Sequence, residues 1–174
     1  MAEIALISDE LFYENSPVKE ETTISKFIPY VLIAQKIHIT RILGEPLTVE
    51  LQEAIKADKL SPEQSALIRT IAPALSFWAV YQALPFHWAA IVNKGVTLRE
   101  SENSKAVSTE DIAAMRRWLR DDAQTLTRNI VDYLTKCAAS FPAWRPAEPC
   151  GCGEDGNEGS NRSEYNAGIY IPEW

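Results

Sequence analysis

Five side chains supply every thiol and every imidazole in this chain: Cys137, Cys150, Cys152, His38 and His87. Cys150-Gly151-Cys152 with Cys137 upstream suggests a zinc or thiol redox centre. A structural zinc site, however, takes four ligands in paired spacings, and here the histidines fall in segments far from the thiols. A cysteine–histidine dyad needs a local motif to orient the base on the nucleophile, and none surrounds either histidine. Gln35 and His38, one helical turn apart, read as hydrogen-bonded interior or interface polar groups. Arg116, Arg117 and Arg120 gather on one helix, but Asp121 and Asp122 follow directly, so the local charge nearly balances and a solvated or subunit-pairing face fits better than a phosphate site. There is no GxxxxGK[ST], GxGxxG, HExxH or GxSxG. The expectation is a protein without catalytic residues, cofactor or metal.

The balance of 24 acidic against 17 basic residues, net charge -7, argues against a binder that neutralises phosphates with clustered cations. It suits an acidic wall that nucleic acid slides past. The start, MAEIALISDE, has neither a basic nor an apolar leader region, which points to folding in a reducing cytoplasm. Residues 71–92 carry no formal charge and are about long enough to span a bilayer, but Pro73, Ser76, Gln82, Pro85 and His87 would be costly in hydrocarbon. No membrane role is expected.

The elements that carry these residues read as helices. Residues 1–22 form an N-terminal arm, with an apolar patch at Leu6, Ile7, Leu11 and Phe12. Residues 23–141 form a helical bundle. Its first helix shows apolar positions from Ile24 to Ile42 at helical spacing and stops at Gly44, a residue that accepts positive φ cheaply. Pro46 opens a second helix with Leu47, Leu51 and Ile55 on the buried face, ending near Asp58. Ser61-Pro62-Glu63-Gln64 has the form of a capping box and starts a third helix, which the apolar run extends to Val92 with a bend at Pro73 or Pro85. Between Ala72 and Leu84 this helix is apolar nearly all round, so it sits in the centre of the bundle. Val96 to Leu98 reads as a short extended excursion or hairpin tip. Ser108 opens a last helix, roughly 45 Å long at ~1.5 Å per residue, with apolar steps from Ile112 to Cys137. Residues 142–174 form a tail with no periodic face, ending in β-prone and aromatic residues.

The order of these pieces (ISDELF and SPV, AQKIHITRILGEPLTVEL, ALSFWAVYQALPF, NKGV, then a polar loop and a long helix ending in DYL) resembles the head-to-tail connector or adaptor proteins of tailed bacteriophages. The closest likeness is to the ring proteins of phages of Bacteroidetes hosts, crAss-like phages included. The resemblance spans residues 4 to 135. Its most specific part is Ala34, Gln35, Leu43, Gly44, Leu47 and Leu51; members often carry an aromatic after the leucine that stands here as Leu47, where this chain has Thr48. The resemblance implies an all-α structural virion protein that assembles as a ring of typically twelve copies at the head–tail junction, inside the host cytoplasm. Its partners would be further copies of itself, the portal protein and the next tail or ring protein, with genomic DNA passing through the channel unread.

A closed ring of one protein needs two unlike faces per subunit. Met115, Trp118 and Leu119 are the candidates for one, and the first helix for the other. In the tail, Tyr165, Ile169, Tyr170, Ile171 and Trp174 are candidates for docking on a partner by strand addition or aromatic anchoring. The competing expectation is a cytoplasmic helical interaction module or regulator with no virion role.

Overall fold

The computed structural model describes residues 4–18, 24–92, 95–98 and 108–144. Among these the chain is an all-α bundle carrying one short hairpin. Helix α1 (Asp9–Glu14) begins at Ser8, whose hydroxyl accepts from the Leu11 amide, with two acids in the first turn facing the positive end of the helix dipole. After a 3₁₀ turn (Ile24–Lys26) come α2 (Ile28–Ala34), a π-helical stretch (Gln35–Ile39) and α3 (Thr40–Leu43), so the first helix of the sequence reading is three segments. Nothing in the apolar spacing announces the π turn.

Gly44 ends α3 and starts α4 (Glu45–Lys56) with φ 77° and ψ 154°, a region that residues with a Cβ rarely enter. Pro46 occupies the first turn of α4, and Leu47 and Leu51 are wholly buried beneath it. Helix α5 (Pro62–Trp88) starts with a reciprocal capping box: the Gln64 amide donates to Ser61 Oγ at 3.1 Å, and the Ser61 amide to Gln64 Oε1 at 3.1 Å.

The sequence reading extended this helix to Val92. It ends instead at Trp88, and Ala89–Val92 pairs as antiparallel β1 with β2 (Gly95–Leu98), in the register Ala89↔Leu98 to Val92↔Gly95. A run of Ala, Ile and Val is as compatible with a strand as with a helix, so its apolar character alone could not place the boundary. No helix among the described residues is long and apolar enough to cross a membrane.

Helix α6 (Thr109–Lys136) is capped by Ser108, whose Oγ accepts from the Asp111 amide at 3.1 Å. It lies along α5 in the most extensive helix pairing of the bundle, and α2 packs on α5 as well. Helix α5 is therefore the central element, and Ala72, Ala74, Ala79 and Ala83, all fully buried, bring its backbone close to its neighbours. Trp78 fills the middle of the core and donates from Nε1 to Thr127 Oγ1 of α6 at 3.0 Å, so the indole N–H is not left unpaired.

Two boundaries differ from the sequence reading. The N-terminal arm is not separate from the bundle: Leu6, Ile7 and Phe12 are among its buried residues. The bundle also continues past residue 141: a 3₁₀ turn (Ala138–Ser140) leads to the buried Phe141, and Trp144 beyond it is buried as well.

Candidate assembly interface

The residues that resemble the connector motif form the inner corner of the molecule. The Gln35 side chain, fully buried at the first position of the π stretch, reads the backbone of the arm with both ends of its amide. Its Oε1 accepts from the Leu6 amide at 2.8 Å, and its Nε2 donates to the Ile4 carbonyl at 3.0 Å. Gln52 Nε2 adds a second donor to the same carbonyl at 2.9 Å. An extended backbone laid against helices would otherwise bury polar groups without partners, and the two glutamines supply them. Ala34, Leu43, Leu47 and Leu51 are fully buried around this corner, and Gly44 sets its angle. These residues position the surfaces rather than contacting anything outside the chain.

His38 does not pair with Gln35. Its ring lies flat on Trp78, with centroids 3.7 Å apart and planes 5° from parallel, and Gln82 Nε2 lies 3.2 Å from its Nε2. With Gln82 donating, the ring is neutral with its proton on Nδ1. Burial, and then the Arg41 charge, lower its pKa from 6.5 to about 4. His87 stacks on Phe27 at 4.6 Å. The two histidines thus serve as aromatic packing along the α2–α5 seam. Among the described residues no group of three or more His, Cys, Asp or Glu gathers where a cation could bind. Cys137 is a half-buried free thiol, and Cys150 and Cys152 lie outside the described residues.

The outward surfaces are less ordinary. On α6, Trp118 is 69% exposed and Met115 is 40% exposed, while Leu119 turns half into the core. Beside them the Arg116 guanidinium sits 4.4 Å over the Tyr81 ring, and Arg120 pairs with Asp121 at 3.0 Å. Helix α2 and the π stretch present Ile33 and Ile37, each 44% exposed, next to Tyr30, which stacks on the exposed Phe86 of α5 at 5.9 Å. Helices α2 and α6 both pack on α5 and scarcely meet each other, so these are two separate apolar patches carried by the two helices packed on the central one.

At the far end, Trp144 folds back onto the corner and donates from Nε1 to the Ile42 carbonyl at 3.0 Å. Helix α3 stops at Leu43, so the Ile42 carbonyl is one of those a helix end leaves without an intrahelical partner. Sequence reasoning placed Trp144 in the tail; the available signal was an aromatic with a donor following a Phe-Pro turn. The partner-docking candidates Tyr165, Ile169, Tyr170, Ile171 and Trp174 lie outside the described residues.

A family model described as a family of unknown function, DUF6712, matches residues 39–154. The chain belongs to the DUF6712 family. The matched stretch holds the Gly44 corner, all of α4 to α6, Gln52, Trp118 and the Trp144 anchor, and it begins four residues after Gln35, so the arm and Gln35 lie outside it. No curated protein and no solved structure matches the chain.

Proposed function

We propose that this DUF6712 member is a non-enzymatic virion protein, a head–tail connector subunit that forms a ring below the portal, about twelve copies around a channel for the genome. The observation that carries the reading is the pair of unlike apolar faces: Met115 and Trp118 on α6, and Ile33 and Ile37 on α2 and the π stretch, set on the two helices that flank α5. A heterologous contact, in which one face of each copy meets a different face of the next, requires this division of the surface and closes into a ring when the rotation allows. Trp, Met and Arg are also the side chains most enriched at interface centres, and Trp118 stands beside Met115 and Arg117. The net charge of -7 supports a lumen that does not hold DNA.

The test is the mass of the isolated protein, followed by electron cryomicroscopy of the protein mixed with the portal protein of the same genome. A ring seated on the portal is the expected result. A monomer that ignores the portal would sink the connector reading and favour a helical interaction module. Trp118→Asp should abolish ring formation while leaving the melting temperature within about 3 °C of the parent, because an exposed side chain contributes little to the monomer. Rings formed as readily by that variant would remove α6 from the contact.

A further inference from the structure

From Ile24 to Leu43 the chain contains no Asp or Glu, although acids outnumber bases 24 to 17 overall. Lys26, Lys36 and Arg41 lie in this stretch, all exposed, and Pro29, Ile33 and Ile37 are exposed with them. The four-residue spacing of 29, 33, 37 and 41 lines them along one side of α2, the π stretch and α3. The result is an apolar strip with a cationic rim on an otherwise acidic molecule.

The chemical complement is the chain beyond Trp144. Residues 145–174 carry six acids against two bases and include Tyr165, Ile169, Tyr170, Ile171 and Trp174. They leave the bundle where Trp144 is bonded to the Ile42 carbonyl, at one end of the strip. From Ile42 back to Ile33 is about 14 Å of helix at ~1.5 Å per residue. A coil of the length of residues 145–164 spans about 25 Å root-mean-square, so the apolar end reaches the strip with nothing else moved.

We propose that residues 164–174 dock on this strip of their own chain, with the Ile and aromatic side chains over Ile33 and Ile37, and Glu164 and Glu173 facing Lys36 and Arg41. Tethering favours the same chain over a neighbour, because a short linker holds its end at millimolar effective concentration. The contact stands without the ring reading. Where the ring forms, the tail shields one of its two faces until a neighbouring copy displaces it.

The full-length protein tests this when Tyr170 is replaced by p-benzoylphenylalanine, irradiated at micromolar concentration and mapped by mass spectrometry. Crosslinks from residue 170 to residues 29–41 of the same chain are expected. Ile33→Asp with Ile37→Asp should lower their yield at least tenfold while circular dichroism stays unchanged. Lys36→Glu with Arg41→Glu, which keeps the apolar strip, should lower it severalfold, and the loss should shrink in high salt. Crosslinks confined to other surfaces, yields unaffected by both double variants, or crosslinks only between light and heavy copies in an isotope-mixed sample would each overturn the proposal. A ring that fails to form on the portal, with these crosslinks present, would count against the connector function alone.

Discussion

Gln35 sets the position of a stretch of chain that lies far from it in sequence. Its amide is bonded at both ends to the backbone of residues 4 and 6. Replacing it with Ala orphans the Leu6 amide, while the Ile4 carbonyl keeps Gln52 as a donor. Gln35→Ala should therefore cost about 2 kcal/mol by denaturant titration, more than Gln52→Ala, whose loss leaves no group without a partner. An inverted order would mean the arm is held by Leu6 and Phe12 packing and not by the clamp. His38 gives a second test at this scale. Its folded pKa of about 4 lies below the unfolded 6.5, so between those values the unfolded chain binds a proton that the folded chain does not. Stability conferred by the neutral ring is complete above pH 6.5 and is lost as the pH falls towards 4. His38→Gln should flatten the fall between pH 6.5 and 5, before carboxylates begin to titrate, by on the order of 1 kcal/mol once solvent screening of a partly exposed ring is allowed for. Parallel melting curves for parent and variant across that range would show that the histidine is not the titrating group.

At the scale of elements, the helix boundaries legible in the sequence were those with side-chain chemistry at their ends. Ser61 with Gln64, Ser108 with Asp111, and Gly44 with Pro46 each appear where spacing and residue type placed them. The boundaries that escaped lack such chemistry. Residues 35–39 widen into a π turn inside an unbroken apolar pattern, and α5 gives way to β1 within a run of Ala, Ile and Val that suits either state. The exposure of the α6 candidates was only partly legible in the sequence. Trp118 stands out of α6 as an exposed knob, whereas Leu119, on the same list of candidates, turns partly inward, since the buried stripe of α6 runs through Ala123, Thr127, Ile130 and Leu134. Gly44 makes a prediction that belongs to the α3–α4 corner. A Cβ there would meet only Pro46 Cδ at 3.7 Å, so Gly44→Ala should be penalised by backbone conformation and not by a clash. A loss of about 1–3 kcal/mol is expected in thermal unfolding, with the helix content of the folded state unchanged. A neutral substitution would show that the corner relaxes to negative φ at no cost.

For the whole molecule, the decisive correction concerns where the folded unit stops. A cut after Phe141 removes Trp144 and its bond to Ile42, while a cut after Trp144 removes none of the described core. The shorter product should be less stable than the longer by about 3–5 kcal/mol, the usual cost of emptying a buried tryptophan site. The longer product should melt within a few degrees of the intact chain. Equal stability of the two products would mean that the indole only rests on the surface. The boundary was hard to see because Phe141-Pro142-Ala143-Trp144 begins a composition rich in Pro, Gly and polar residues, and one aromatic docking by a single hydrogen bond has no periodicity to betray it.

The same bond has a mechanical side. It joins positions 102 residues apart and attaches the start of the tail to the corner between α3 and α4, not to the last turn of α6. A pull on residue 145 is thus carried first by the indole seated at Ile42, in the part of the bundle where the arm, α3 and α4 converge. Helix α6 is spared from peeling off α5 end first, and the tether yields only when the tryptophan leaves its seat.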